Sequence, residues 1–176
     1  MKKTLFGLVL ALCLVGANSV QADSYDHEMK GAGVTFSWKV DGDTLHGKLS
    51  AKTKGWVAVG FNPEEQMQGG NYILGFVKGN DVEVVDHFGT KKINHDLDED
   101  LGGTSDVTVV GGSEKGGTTT IEFTIPLDSG DQYDTVLVAD GETKVVLAHG
   151  PPRDSFKARH RKQAIKTVNL STGAVK

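Results

Sequence analysis

Apolar and polar residues alternate along most of this chain with a period of two, not the 3.6 residues of a helix. Residues 34–40 and 45–51 alternate most clearly, and the Asp-Gly-Asp run between them is typical of a hairpin turn. Residues 56–61 and 72–77 are apolar at nearly every position, as expected for central strands. Further strands are predicted at 82–85, 107–110, 121–125, 135–138, 144–148 and 165–170. Short strands separated by turn residues predict an all-β fold, an antiparallel β-sandwich.

The first 22 residues have a different pattern. Two lysines follow Met1, residues 5–15 are apolar, and small residues occupy positions 20 and 22. This is the pattern of a secretory signal peptide cleaved after Ala22, and its apolar run is too short to span a bilayer. Residues 23–176 are then expected to form one domain, with no membrane span in the mature chain.

Composition limits the chemistry further. The single cysteine, Cys13, lies within the predicted signal peptide. A mature chain without cysteine excludes disulfides, thiolate metal sites and covalently attached c-type haem, and it is compatible with a bacterial periplasm. The net charge of -4 includes two signal-peptide lysines. The mature domain is therefore more acidic, which argues against nucleic acid as a partner.

Two residues just past the ends of apolar strands carry candidate chemistry. Met67 lies in a polar, glycine-rich loop after residues 56–61, and His149 ends the strand at 144–148. One thioether and one imidazole can form the axial pair of a haem iron. His87, beside an acid in a turn, is the rival ligand, whereas a loop methionine filling a packing gap and a histidine capping a sheet are the ordinary alternatives.

Several motifs resemble the DOMON family in order along the chain. They are Gly-Trp-Val-Ala-Val-Gly-Phe at 55–61, the Met and Gly loop at 67–70, the apolar strand at 72–77, Val-Val-Asp-His-Phe at 84–88, and the strands at 118–123 and 145–150. The resemblance implies an immunoglobulin-like β-sandwich that binds haem or sugar. In the haem-binding members, a loop methionine and a late histidine are the axial ligands, which here correspond to Met67 and His149.

The remaining charged and histidine residues are expected to face solvent. This includes His46, His95 and His160, and also the acidic run at 96–100, which lacks the spaced ligands of a calcium loop. The basic run at 157–162 is either solvated, paired with haem propionates or used to bind an acidic redox partner.

Together these features predict an exported b-type cytochrome domain rather than an enzyme. It binds one haem b non-covalently through Met67 and His149 and exchanges electrons with a redox partner in trans, such as a membrane cytochrome or an exported oxidoreductase. Two alternatives stay open: a carbohydrate-binding module and a haem-free interaction domain of an oxidoreductase system. The first needs exposed aromatic residues, but Trp38 and Trp56 lie in apolar strand patterns.

Overall fold

The computed structural model describes residues 24–176, so the predicted signal peptide and its cleavage site lie outside the described residues. Two antiparallel sheets pack face to face. Sheet A has the order β1-β2-β3-β9-β8 and sheet B the order β11-β10-β4-β5-β6-β7. The strands are β1 His27–Gly31, β2 Val34–Asp41, β3 Thr44–Ala51, β4 Val57–Phe61, β5 Asn71–Lys78, β6 Asp81–Lys91, β7 Asn94–Leu97, β8 Thr108–Lys115, β9 Thr118–Pro126, β10 Thr143–His149 and β11 Lys162–Val168; a short helix, α1 Asp98–Leu101, follows β7.

The predicted antiparallel β-sandwich is confirmed. The Asp-Gly-Asp run turns β2 into β3, and Gly42 adopts φ +57°, which glycine tolerates without a steric penalty. Strands β1 and β7 were not predicted, because they are short and mostly polar. The predicted strand at 135–138 does not form. Within it only Leu137 is buried, and it packs in the core while its neighbours Val136 and Val138 are exposed.

The main core lies between the two sheets. Strands β2, β3 and β9 of sheet A give alternate side chains to it, and β4, β5 and β10 of sheet B give odd-numbered ones. Trp38 is fully buried there and donates its Nε1–H to the carbonyl of Leu170 at 2.9 Å. This burial agrees with the prediction that Trp38 is a core residue.

Sheet B is apolar on its outer face as well. A second cluster, made only of sheet B and the residues that flank it, contains Trp56, Ala58, Tyr72, Leu74, Phe76, Val146 and Ala148. An antiparallel sheet in a sandwich usually presents polar residues on the face that does not meet the other sheet. A second face that is apolar across its central strands therefore indicates that something covers it, and this face holds the candidate site.

Within residues 24–176, no helix has the length and apolar character needed to cross a membrane.

Candidate functional site

A cavity of about 970 Å³ opens on the outer face of sheet B. This volume lies at the upper end of the range, about 300–1,000 Å³, that is usual for ligand and cofactor sites. Its lining is largely apolar and includes Trp56, Phe76, Val85, Phe156 and Ile165. Ile165 is 54% exposed and Ile93, at another part of the rim, is 77% exposed. Large apolar side chains left open around a cavity are typical of a binding site.

Met67 lies at one end of this cavity, on the loop between β4 and β5. The Tyr72 hydroxyl donates to the Met67 carbonyl at 3.0 Å, and the Met67 N–H donates to the carbonyl of Lys92 at 3.1 Å. Gly89 on β6 lies directly beneath the loop, and a Cβ there would lie 1.7 Å from the Met67 carbonyl oxygen. These contacts hold the methionine against the sheet. Its partly buried side chain packs on the second apolar cluster, on the outer face of sheet B.

Two histidines line the cavity from β6 and β7. His87 and His95 approach each other with their Nδ1 atoms 2.8 Å apart, and the His95 ring stacks on Tyr72 with centroids 5.7 Å apart. Burial lowers the pKa of His87, and burial together with the His87 charge lowers the pKa of His95 to about 4. Both rings are therefore neutral at neutral pH, the form in which imidazole binds metals.

The other end of the cavity is formed by the connection between β10 and β11. Trp56 donates its Nε1–H to the carbonyl of Ala158 at 3.0 Å, and Phe156 packs on Phe76 with ring centroids 4.6 Å apart. These contacts fold the connection over sheet B and bring His160 to the cavity. Burial, followed by the charge of Arg159, lowers the pKa of His160.

The structure does not bring His149 together with Met67. Side chains alternate along β10, so His149 lies on the same side as the core residues Val145 and Leu147. Its Nε2 lies 3.8 Å from the position of a Cβ on Gly33, in the turn between β1 and β2 of sheet A. The prediction that His149 shares a site with Met67 therefore does not agree with this geometry.

Two further expectations need correction. His95 and His160 were expected to face solvent, yet both are partly buried and line the cavity. The signal that could have revealed them is the unbroken apolar character of β4 and β5, which leaves an outer face in need of cover. His87, the rival ligand from sequence, lines the cavity, and its role as a ligand stays a prediction.

Charged residues of both signs lie at the opening. Lys92, Lys157 and Arg159 line the cavity and are exposed, as are Glu83 and Asp154. Lys92 pairs with Glu65 at 2.7 Å. The first part of the basic run at 157–162 therefore lies at the rim, where cations can pair with carboxylates of a bound group.

The donor set fits haem. The cavity combines one thioether, three imidazoles, apolar and aromatic walls, and basic residues at its rim. Methionine sulfur and neutral imidazole are established axial ligands of haem iron, and cationic side chains at the rim match the two propionates.

The fold and this site define an antiparallel β-sandwich domain with a cofactor-sized cavity on one outer face. The chain belongs to the DOMON domain family, whose match covers residues 30–150. His160 lies ten residues beyond the end of that match, which explains why family motifs alone do not identify it.

Two solved structures are similar to this chain. One is the cytochrome b domain of pyranose dehydrogenase from Coprinopsis cinerea, with a TM-score of 0.60 and 15% identity over 80% of each chain. The other is the cytochrome domain of Myriococcum thermophilum cellobiose dehydrogenase, with a TM-score of 0.55 and 15% identity over 80% of this chain and 76% of that one. At this identity the similarity establishes the fold. No curated protein sequence matches the chain.

Proposed function

We propose that this domain binds one haem b non-covalently in the sheet B cavity, with Met67 and His160 as axial ligands, and that it transfers electrons. The observation that carries this proposal is the single cavity that a thioether and an imidazole enter from two different loops. The cytochrome domains similar in fold support the choice of haem over other cofactors.

The choice of His160 rests on where the loops begin. The Met67 loop leaves sheet B after Phe61, at the end of β4, whereas the His160 connection leaves sheet B after His149, which pairs with Val57 at the start of β4. The two loops therefore start about 14 Å apart along the strand, at a rise of roughly 3.4 Å per residue. His87 and His95 instead lie together and engage each other through Nδ1. Among the cavity histidines, only His160 belongs to the connection that leaves sheet B at the other end of β4 from the Met67 loop.

Each part of the site has a role in this function. Haem, when bound, supplies reversible one-electron transfer. Met67 and His160 would be the two protein ligands of its iron and would leave no coordination position for a substrate, and a thioether ligand favours a higher potential than a second imidazole would. Trp56, Phe76 and Phe156 exclude water from the site. Lys157 and Arg159 lie where they can balance carboxylate charge at the edge.

The cellular setting is part of the same proposal. The sequence of residues 1–22 supports export with cleavage after Ala22, so that the mature protein begins at Asp23. The electron donor or acceptor is then an exported oxidoreductase or a membrane cytochrome acting in trans. N-terminal sequencing of protein from a periplasmic fraction tests the cleavage site.

An absorption spectrum of the purified protein tests the haem proposal. We expect a Soret band that shifts on reduction, and complete removal of the pigment by acid–acetone extraction, because no thioether bond to a cysteine holds it. Protein purified without pigment should take up added hemin with one-to-one stoichiometry. A colourless protein that also fails to bind hemin would contradict the proposal and leave the haem-free alternatives.

A further inference from the structure

A second group of chemically distinctive side chains lies on the inner side of sheet B. Asp86 on β6, Asp98 at the start of α1 and Asp134 between β9 and β10 each offer a carboxylate oxygen, and these oxygens lie within 4.8 Å of one another. Asp98 is fully buried and Asp86 is 2% exposed. This corrects the expectation of a solvated loop at 96–100 for Asp98, whereas Glu99 and Asp100 of the same run are exposed. Buried carboxylates at this spacing need compensation for their charge.

The same group holds unpaired oxygen atoms. Within residues 24–176, five buried side-chain polar atoms have no hydrogen-bond partner, and all five are oxygens of this cluster: Oδ1 of Asn71, Oδ1 of Asp86, both carboxylate oxygens of Asp98, and Oγ1 of Thr135. Asn71 is only 5% exposed, and its Nδ2 donates to Asp134. Native proteins leave few buried polar groups unpaired, so a concentration of unpaired oxygens indicates a missing partner with positive charge.

Asn71, Asp86, Asp134 and Thr135 line one small internal space of about 10 Å³. A space of that size admits about one water-sized sphere. The carboxylate oxygens of Asp86, Asp98 and Asp134 all lie within 4.8 Å of one another, close enough for one cation with metal–oxygen distances of about 2.4 Å to contact all three. Asp98 does not line the small space itself, and its carboxylate belongs to the site through its distance to the other two. The small space suits a single ion and excludes a larger ligand.

The cluster is also held in place by neighbouring groups. The Ser129 hydroxyl donates to Oδ2 of Asp134 at 2.6 Å, and the N–H of Asp106 donates to Oδ2 of Asp86 at 3.2 Å. Such bonds fix the orientation of carboxylates. Oδ1 of Asp86 stays without a partner, whereas Oδ1 of Asp134 accepts from Asn71.

We propose that Asp86, Asp98 and Asp134 bind one calcium ion, with Oδ1 of Asn71 and Oγ1 of Thr135 as neutral ligands. Every candidate ligand atom is an oxygen, which suits a hard cation and not zinc or copper. Magnesium prefers to retain several waters, for which a space of about 10 Å³ has no room. The ion ties β6, α1 and the β9–β10 connection together, three segments far apart in the sequence.

The electrostatics of the metal-free chain agree with this assignment. Burial, followed by the neighbouring carboxylates, raises the pKa of Asp86 to about 8 and that of Asp98 to about 7. Burial likewise raises the pKa of Asp134 to about 6. Without a cation, protons take its place in the cluster.

The test is calcium-dependent thermal unfolding of the full-length protein. Protein is treated with EDTA, dialysed and melted at pH 7.5 with increasing CaCl₂, while elemental analysis counts the bound ion. At a calcium concentration 100 times Kd, we expect Tm to rise by about 5–10 °C, with one calcium per chain. No rise in Tm, or an equal rise with MgCl₂ at the same concentration, would overturn the calcium assignment.

Two variants locate the effect. Asp98→Asn and Asp86→Asn remove one charge each without changing side-chain size, so both should fold and the metal-free Tm should not fall. Each should lose at least tenfold in calcium affinity. The matched control is Asp81→Asn, because Asp81 is exposed in the turn of the β5–β6 hairpin that also carries Asp86. A calcium response that survives in both Asn variants would contradict the site.

Discussion

Asp86 and His87 are neighbours on β6, yet their side chains lie on opposite faces of sheet B. Asp86 lies on the inner side, in a closed space of about 10 Å³ lined partly by oxygen atoms. His87 lies on the outer side, in an open cavity of about 970 Å³ that offers sulfur and nitrogen donors. One strand therefore lines two spaces that differ in size and in the softness of their donors. Neighbouring residues of a strand point to opposite faces, so under the two proposals the face decides whether a residue of β6 meets a hard ion or haem.

Replacing His160 should give the largest effect on the outer site. His160→Ala removes the imidazole that approaches from the β10–β11 connection, and we expect at least a tenfold loss of hemin affinity and loss of the six-coordinate spectrum. His149→Ala is the matched control, because that ring lies on the inner side of β10 and its loss should leave the spectrum unchanged. Hemin titration followed at the Soret band measures both.

If His149→Ala loses haem while His160→Ala keeps it, the axial assignment proposed above is wrong. The calcium response offers an independent check, because it belongs to the other face of sheet B. His160→Ala should retain the wild-type Tm shift with CaCl₂, and Asp98→Asn should retain wild-type hemin affinity. A variant that impairs both sites would show that the two faces are coupled.

The pH dependence of stability distinguishes the two faces. Burial, followed by the charge of Asp134, raises the folded-state pKa of Asp86 to about 8 and that of Asp98 to about 7. The folded protein therefore holds protons that the unfolded chain releases above about pH 4. In EDTA, the free energy of unfolding should be highest near pH 4 and should fall as pH rises to about 8.

Urea unfolding between pH 4 and 8.5 measures this slope, which Asp86→Asn should flatten. The histidines of the outer face contribute with the opposite sign. The folded-state pKa of His95 is lowered to about 4, so its contribution is present above the unfolded value near 6.5 and is lost as pH falls toward 4. If the free energy of unfolding of Asp86→Asn changes with pH as steeply as that of the wild type, the acid cluster is not the source of the slope.

The sequence predicted the inner face of this molecule better than the outer one. Alternation along β2, β3 and β9 identifies core positions directly, because a strand between core and solvent has a period of two. The cavity depends instead on a loop folding back over the sheet. That fold depends on single contacts, such as the bond from Trp56 to Ala158, which leave no periodic signal.

His160 and Asp98 were both expected to face solvent, and the two errors have the same physical cause. His160 lies in a polar, basic segment, which by itself reads as solvated, and Asp98 lies in an acidic run that reads the same way. Either residue is buried by segments that are distant in the sequence, and the local sequence does not show these tertiary contacts. Met67 was predicted from local chemistry and lies in the cavity, whereas its role as a ligand stays a prediction.

A glycine under the methionine loop provides a test of intermediate size. In Gly89→Ala, the added Cβ would lie 1.7 Å from the carbonyl oxygen of Met67, so the loop must move. We expect a destabilisation of about 1–3 kcal/mol, as is usual for overpacking, and a weakened methionine–iron charge-transfer band. Gly111→Ala is the matched control, since a Cβ there meets nothing within 4 Å. Equal effects of the two substitutions would show that the loop does not depend on Gly89.

The smallest expected effect concerns the basic rim of the outer site. Lys157 and Arg159 line the cavity and are exposed, so they should attract an anionic electron acceptor to the haem edge. The oxidation rate of the reduced protein by ferricyanide should therefore fall as salt rises, because at 0.15 M ionic strength charges are screened beyond about 8 Å. Lys157→Gln combined with Arg159→Gln should flatten this dependence several-fold and leave the absorption spectrum unchanged.

The double control Lys52→Gln and Lys115→Gln removes the same charge from exposed positions on and beside sheet A. If both double variants change the salt dependence equally, net charge rather than the rim steers the acceptor. If the rim variant instead releases haem, these residues bind the propionates, and steering by the rim is not their main role.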